Sequence, residues 1–209
     1  MPLIGDHAPE FHAMTTQGKI DFPADYKGSW VVLFSHPADF TPVCTTEFIA
    51  LSRMNETFES LNTKLIGLSI DSLHSHLGWI KSIEALNFNN EGKVKIPFPI
   101  IADISMNVAR KYGMLQTVAN TQTVRAVFII DPEGIIRTIL YYPMSTGRNI
   151  PEIIRILQSL QLNDKTHYST PANWQPGDAV VMGAPLTIEE AQERLESSDN
   201  TIEHLDWYL

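Results

Sequence analysis

The chain has 209 residues, with 15 lysines and arginines against 24 aspartates and glutamates, which gives a formal net charge of -9 at pH 7. This acidic balance, without a basic cluster, argues against a nucleic-acid partner. No apolar run approaches the roughly 18 residues of a membrane span, and the first residues lack the pattern of a secretory signal. We therefore expect a cytoplasmic protein with no membrane partner.

The sequence contains a single cysteine, Cys44. One cysteine cannot form a disulfide within the chain, which fits a reducing compartment. If this cysteine is oxidised, another molecule has to reduce it.

The first part of the chain predicts strands alternating with helices. Residues 5–29 contain the turn-forming residues Pro9, Gly18, Pro23 and Gly28 between short extended pieces, which predicts a hairpin or edge strands. Residues 30–36 predict the first central strand, with a helix to about Leu61 behind it, and residues 64–70 predict a second strand.

A second helix follows, capped by Asp71 or Ser72. Its apolar residues are predicted to be Leu73, Leu77, Ile80 and Ile83. Beyond a polar segment, residues 100–102 predict a short strand.

A third helix is predicted to start at Asp103 or Ser105 and to end at Tyr112, with Gly113 as its C-cap. A turn signal at Asp131–Gly134 then separates two apolar runs, which predicts an antiparallel hairpin.

Apolar residues recur at helical spacing over residues 150–162, which predicts an amphipathic helix. The whole pattern predicts an α/β fold with a mixed central sheet flanked by helices.

The last part of the chain is different in character. Prolines and glycines interrupt it, only residues 179–182 look extended, and a capping box at 187–190 opens a short helix. The chain closes on apolar residues that we expect to pack against this or another subunit, namely Ile202, Leu205, Trp207, Tyr208 and Leu209. We expect a main domain over residues 1–162 and a C-terminal extension over residues 163–209.

Cys44 lies where the first central strand gives way to a helix. Thr41 is suited to the N-cap and Pro42 to the first helical position, which places Cys44 in the first turn. Unpaired backbone N–H groups and the helix dipole favour a thiolate at such a position. A lone cysteine is also often a buried, inert residue, so chemistry alone leaves both interpretations open.

The spacing of Pro37, Thr41 and Cys44 resembles the active-site signature of the peroxiredoxins, which are thiol peroxidases with a thioredoxin-like fold. The longer segment 34–47 resembles the one-cysteine branch of that family. Segments that resemble it as well are 125–132 (RAVFIIDP), 142–149 (YPMSTGRN) and 170–178 (TPANWQPGD). The likeness thus covers nearly the whole chain and implies a thioredoxin-like fold with a small C-terminal extension.

The resemblance implies a role for each matching residue. Cys44 would be the peroxidatic cysteine, which attacks the peroxide and becomes a sulfenic acid. Thr41 and Arg125 would hold the peroxide, and Pro37 would shield the thiolate. The supporting residues implied by the resemblance are Glu47, Arg148 and His36. By sequence alone, Arg125 is an ordinary strand-end residue and Glu47 a solvated helix residue.

The resemblance also implies the partners. No metal, flavin or haem cofactor is required. The substrate is hydrogen peroxide or an organic hydroperoxide, and an external thiol is the reductant, either a small thiol or a thioredoxin- or glutaredoxin-type protein. The family forms homodimers and, in some members, rings of dimers. Residues 163–209 contain no resolving cysteine, in contrast to two-cysteine relatives.

Cys44, a short glycine motif and a pair of histidines could each indicate another function. Cys44 could instead serve a redox sensor or an oxidation-dependent chaperone-like binding protein, or lie inert in a structural module. The run Gly28-Ser29-Trp30-Val31 lacks the second glycine of a phospholipase motif, so that activity is not expected. His74 and His76 are two residues apart on a helix and face different directions, so we expect no metal site there.

Overall fold

The computed structural model describes residues 1–115, 122–196, 206 and 208. Its strands are β1 (Phe11–Thr15), β2 (Gly18–Phe22), β3 (Trp30–Ser35), β4 (Thr63–Ser69), β5 (Ile100–Ala102), β6 (Arg125–Ile130) and β7 (Ile136–Tyr142). Its α-helices are α1 (Pro42–Arg53), α2 (Asn55–Ser60), α3 (Leu73–Ala85), α4 (Asn107–Tyr112), α5 (Ile150–Thr166) and α6 (Ile188–Glu196).

Within the described residues, seven strands form one sheet in the order β2-β1-β5-β4-β3-β6-β7. β3, β4 and β5 are parallel, whereas β6 runs antiparallel to β3 and to β7. The predicted mixed sheet and α/β thioredoxin-like class are therefore confirmed. All residues of β3 and β6 are buried, which explains why their sequences read as continuous apolar runs.

α1 begins as the sequence predicts. Thr41 is the N-cap with extended backbone angles (φ -110°, ψ 146°), and Pro42 occupies the first turn, where its missing N–H costs nothing. Cys44 consequently lies in the first turn of α1. The predicted helix to about Leu61 is divided in two at Met54, where α1 ends and α2 begins.

α3 confirms its predicted cap but presents a different face. Ser72 accepts a hydrogen bond from the N–H of Ser75. The buried residues of α3 are His76, Trp79 and Ile83, whereas Leu77 is 40% exposed. The predicted apolar face is therefore wrong in part, because a histidine and a tryptophan replace aliphatic residues on the inner side of the helix.

α4 starts later than predicted. It begins at Asn107, after Met106 in a left-handed conformation (φ 57°), and ends at Tyr112 with Gly113 as its C-cap, as predicted. The buried Asp103 does not open the helix directly. Its carboxylate accepts the N–H groups of Val108 and Ala109 from outside the helix at 3.3 and 2.7 Å, so it satisfies unpaired donors of the first turn.

The β6–β7 hairpin closes on Asp131, as the turn signal predicts. The Asp131 carboxylate accepts the N–H groups of Glu133 and Ile135 at 3.1 and 2.8 Å. The sheet thus ends in a tight turn, and β6 lies between β3 and β7 with its first residue near the end of β3 that leads to α1.

The chain divides into two compact units, Met1–Ile150 and Pro151–Leu209. In the second unit, residues 179–182 form no strand; Val181 makes an isolated bridge with Ser169 instead. The predicted capping box is present in part, because the Thr187 hydroxyl accepts the N–H of Glu190 at 3.1 Å.

Several predicted features at the end of the chain lie outside the described residues, namely Ile202, Leu205, Trp207 and Leu209. Tyr208 is described and is exposed. Among the described residues, we find no helix with the length and apolar character that crossing a membrane requires.

Candidate active site

Cys44 is completely buried and free of any disulfide. Its sulfur accepts a hydrogen bond from the guanidinium of Arg125, with 3.2 Å between Sγ and Nη1. The contact joins the first turn of α1 to the first residue of β6. Cys44 is therefore not an ordinary core residue, because its sulfur contacts the positively charged guanidinium of Arg125.

Arg125 is held in place from several directions. The Nη1 atom that contacts Cys44 also donates to Glu47 Oε2 at 2.7 Å. Nε and Nη2 both donate to the backbone carbonyl of Met144, at 3.0 and 2.8 Å. The guanidinium plane is thereby fixed before any substrate arrives, and the interpretation of Arg125 as a solvated strand end is wrong.

Glu47 joins this arginine to a second one. Its Oε1 accepts both the backbone N–H and the Nε of Arg148, and its Oε2 accepts Nη2 of Arg148 at 2.7 Å. The remaining Nη1 of Arg148 donates to the carbonyls of Ser35 and Ala126, at the ends of β3 and β6. Glu47 is buried, so it is not the solvated residue that the helix pattern alone suggests.

The carboxylate of Glu47 stays charged in this setting. Burial by itself raises the pKa of Glu47, but the charge and hydrogen bonds of Arg148, together with the charge of Arg125, outweigh burial and hold that pKa below its ordinary value. Two guanidinium groups and one carboxylate leave the buried group with one surplus positive charge. A thiolate on Cys44 would balance it.

The other two residues of the signature lie in the loop between β3 and α1. The Thr41 hydroxyl donates to the carbonyl of Ala38 at 2.8 Å, so its single proton is engaged within the loop. Pro37 is buried at the start of the same loop. The structure thus brings Cys44, Arg125, Glu47 and Arg148 into one hydrogen-bonded group, with Thr41 and Pro37 on the segment that leads into it.

His36 belongs to a different group. It is completely buried, and its Nε2 lies 2.9 Å from Asp39 Oδ1. Its ring stacks on Trp79 and meets the edge of Phe48, with ring centroids 5.0 and 4.9 Å apart. Because Phe48 lies on α1, His36 contacts that helix through the packing of the two rings.

Sequence reasoning missed the two partners of His36 in this group. Asp39 lies in a segment that reads as a turn, and His76 was considered only together with His74, which the structure leaves exposed. The spacing of His76, Trp79 and Ile83 follows one face of a helix and was the available signal. Among the described residues, His36, Asp39 and His76 are the group of potential metal ligands, with ligand atoms within 4.8 Å of one another.

A thioredoxin-like sheet and a buried cysteine at a helix N-terminus, contacted by an ion-paired arginine, define a thiol-dependent peroxidase. Residues 4–139 match the AhpC/TSA family, and residues 159–198 match the C-terminal domain of 1-Cys peroxiredoxin. A peroxiredoxin of Methanosarcina mazei is 57% identical over 100% of this chain and 96% of its own length, and one of Aquifex aeolicus is 47% identical with the same coverage.

Solved structures agree. A yeast mitochondrial 1-Cys peroxiredoxin, studied for thiol resolving via glutathione/thioredoxin systems, has a TM-score of 0.86 at 41% identity over 100% of this chain and 98% of that one. A cysteine-to-serine mutant of Peroxiredoxin 6 of Arenicola marina has a TM-score of 0.82 at 39% identity, over 92% of this chain and 88% of that one. The chain belongs to the AhpC/TSA family of peroxiredoxins, in the one-cysteine branch.

The chain is accordingly a thiol-dependent peroxidase, an oxidoreductase. The comparisons do not favour the alternative of a redox sensor or chaperone-like binding protein.

Proposed function

We propose that Cys44 is the peroxidatic cysteine and that Arg125, Thr41 and Pro37 act with it on the peroxide. The observation that carries this proposal is the 3.2 Å contact between Arg125 and the Cys44 sulfur, made by a guanidinium that Glu47 and the Met144 carbonyl hold in place. Hydrogen peroxide and organic hydroperoxides are the substrates.

The reaction begins with the Cys44 thiolate. Its sulfur attacks the terminal oxygen of the peroxide, so an S–O bond forms as the O–O bond breaks. The leaving oxygen takes the electron pair of the broken bond and a proton, and departs as water or an alcohol. Cys44 is oxidised to a sulfenic acid, and the peroxide is reduced by two electrons.

Charge balance supports the thiolate as the resting form. The buried group of Arg125, Arg148 and Glu47 carries one surplus positive charge, and an anion on Cys44 brings it to neutrality. The first turn of α1 adds the unpaired N–H groups and the positive end of the helix dipole.

Thiolate formation alone does not explain a fast peroxidase. Lowering a thiol pKa from about 8.5 to about 6 raises the thiolate fraction at neutral pH about thirty-fold. The weaker nucleophilicity of the less basic sulfur takes back roughly ten-fold of this, so only a few-fold advantage remains.

Stabilisation of the transition state has to supply the rest. Negative charge grows on the leaving oxygen as the O–O bond breaks, and preorganised donors next to that oxygen stabilise it without rearranging. Arg125 meets this requirement because Glu47 and Met144 already fix its orientation.

Thr41 serves as a second donor after one small change. Its hydroxyl proton is held by the Ala38 carbonyl, so the hydroxyl has to rotate to donate to a bound peroxide. Pro37, buried and without an N–H, covers the thiolate without competing for its hydrogen bonds. Glu47 and Arg148 orient the arginine, and His36 supports α1 through its packing on Phe48.

An external thiol completes the cycle. The chain has a single cysteine, so the sulfenic acid of Cys44 is attacked by a thiol of another molecule, which gives a mixed disulfide and water. A second thiol then releases Cys44. The reductant is a small thiol or a thioredoxin- or glutaredoxin-type protein; the related yeast protein was studied with glutathione/thioredoxin systems.

We also propose a homodimer, which some family members extend to a ring of dimers, and a cytoplasmic location. Large apolar side chains are exposed in the second unit, among them Leu186 at 92% and Ile188 at 75%, which is typical of an association surface. With residues 163–209 as the extension, truncation after residue 163 should lower the sedimentation coefficient to that of a monomer. An unchanged assembly would exclude this role.

The deciding experiment is stopped-flow consumption of one equivalent of hydrogen peroxide by the reduced protein, followed by intact mass. We expect peroxide to disappear orders of magnitude faster than with a free thiol, one oxygen to appear on Cys44, and Cys44→Ser to be inactive. A wild-type rate equal to that of a free thiol would refute the assignment of Cys44.

A further inference from the structure

Three buried polar residues lie together beside the loop that leads into α1. Asp39 Oδ1 is 2.9 Å from Nε2 of His36, and Asp39 Oδ2 is 2.8 Å from Nδ1 of His76. The second ring nitrogen of His76 lies 3.2 Å from the carbonyl oxygen of Ile101 on β5. One carboxylate thus joins the end of β3 to α3, and α3 is joined in turn to β5.

Both ring nitrogens of His76 face acceptors, since the Asp39 carboxylate lies at Nδ1 and the Ile101 carbonyl at Nε2. Burial raises the pKa of Asp39, but its hydrogen bonds to His36 and His76 outweigh burial and hold that pKa well below its ordinary value, which keeps the carboxylate charged. Two histidine rings thus share one buried carboxylate.

His36 completes the group as a neutral ring. Burial is the largest influence and lowers the pKa of His36, although Asp39 acts in the opposite direction. Nε2 donates to Asp39, and Nδ1 is a buried atom that finds no hydrogen-bond partner among the residues that the structure describes. A metal ion on Nε2 would instead leave an N–H at Nδ1 without an acceptor, which is the more costly arrangement.

α3 also holds the next residue of the loop. Phe40 has a left-handed backbone (φ 54°), which is unfavourable for a phenylalanine, and its side chain is 61% exposed. Its ring lies over Gly78 of α3, where an added Cβ would be 3.6 Å from Cζ. The loop is therefore fixed to α3 at two successive residues, directly before the Thr41 N-cap.

We propose that His76 is a positioning residue of the peroxidase. Its ring holds Asp39, and Asp39 holds the loop whose end sets the place of Thr41 and of the first turn of α1, which bears Cys44. This inference rests on the proposed function, because it requires Cys44 to react with the peroxide. His76 itself touches neither the sulfur nor the substrate.

The test replaces His76 by leucine and by asparagine. Leucine removes the donor, whereas the asparagine amide can place an N–H close to the position of Nδ1. Two rates are measured by stopped flow: oxidation of Cys44 by hydrogen peroxide, which needs Thr41 in place, and alkylation of Cys44 by iodoacetamide, which needs a thiolate that the reagent can reach but no donor from Thr41. His74→Leu is the matched control, since His74 is an exposed histidine of the same helix.

We expect His76→Leu to slow peroxide oxidation by about tenfold or more while alkylation changes by less than about threefold, and His76→Asn to recover much of the loss. His74→Leu should leave both rates unchanged. If His76→Leu does not fold, the asparagine variant still decides.

Two results would overturn the inference: an unchanged peroxide rate in both variants, or an equal loss in both reactions. One equivalent of zinc that copurifies with the wild type and is lost in His76→Leu would overturn it as well. A failure of the proposed function looks different, because the wild type itself would then oxidise no faster than a free thiol.

Discussion

Two buried polar groups lie on either side of the start of α1, and each is built around one carboxylate. Glu47 receives two arginines, whereas Asp39 receives two histidines. The arginines cannot lose their protons, so the Glu47 group keeps a surplus positive charge. Histidine rings can lose their protons, and burial lowers the pKa of His36, which favours its uncharged form.

This difference in charge distinguishes a group that can take part in the reaction from a group that holds the structure in place. The Glu47 group is incomplete without an anion, and the sulfur of Cys44 is the atom in contact with it. The Asp39 group joins the end of β3 to α3 and β5 and offers its neighbours fixed geometry. A buried group with unbalanced charge is therefore the place to look for reactivity, and a group that joins several elements is a candidate for positioning.

Arg125→Ala should break the first group most severely. The loss of the donor at the leaving oxygen is expected to lower the rate of peroxide reduction by about 100-fold. Alkylation of Cys44 by iodoacetamide should fall far less, since the helix N-terminus and Arg148 remain. Arg110→Ala removes an exposed arginine and is the control. Equal losses in both reactions would mean that Arg125 acts on thiolate formation alone.

Glu47→Gln raises the surplus positive charge of the Glu47 group by one and tests how much the protein is destabilised. The substitution leaves Arg125 and Arg148 buried without their counter-ion, so the free energy of unfolding should fall by about 3 kcal/mol. Urea unfolding measures this change. Glu56→Gln removes an exposed carboxylate on α2 and should change the free energy of unfolding by less than about 0.5 kcal/mol. Similar values for the two variants would show that the Glu47 ion pairs are not a stabilising unit.

Thr41→Val tests the loop that lies between the two groups. The variant loses a hydroxyl that can donate to the peroxide, and a hydrogen bond of about 1.4 kcal/mol corresponds to about a tenfold lower peroxidase rate. Thr41→Ser should retain most of the activity. Thr46→Val, which removes an exposed hydroxyl from the same helix, should be neutral. A Thr41→Val rate equal to wild type would exclude the hydroxyl as a donor.

The pH dependence of the free energy of unfolding tests the Asp39 group through the proton of His36. The pKa of His36 is lowered in the folded protein, so the unfolded chain binds its proton near pH 6.5 before the folded chain does. Stability from the neutral ring is fully present above that pH and is lost as the pH falls below it. The slope should reach at most about 1.4 kcal/mol per pH unit.

Urea unfolding at several pH values between about 5 and 7.5 checks this slope. His36→Gln should flatten it, because glutamine does not titrate. His74→Gln should leave it unchanged, because His74 is exposed. A wild-type slope that persists in His36→Gln would assign the pH dependence to other groups.

Much of the fold could be predicted from the sequence because the central strands β3 and β6 are buried on both faces and read as apolar runs. The turn at Asp131 and the Thr41-Pro42 start of α1 are local signals that need no tertiary information. The face of α3 was misjudged because His76 and Trp79 are polar enough to suggest solvent. Their burial depends on Asp39 and Thr45, which are distant in sequence.

The residues of the candidate site differ in how far the sequence predicts their roles. Thr41, Pro42 and Cys44 are adjacent in the sequence, so a helix start is visible at once. Arg125 and Glu47 become meaningful only when β6 and α1 meet, and pattern alone made both solvated residues. The family signature supplied that long-range pairing, whereas the Asp39 group carries no such short signature and was missed.

Trp79 can serve as an intrinsic fluorescent probe of the protein. Its indole N–H donates to the Thr45 hydroxyl, one residue after Cys44, and its ring stacks on His36. Indole emission responds to nearby charge and hydrogen bonding, so this tryptophan is placed to register both a change at the start of α1 and a change in the histidine group. The redox state of a single sulfur can thus be followed as a change in fluorescence, without any added dye.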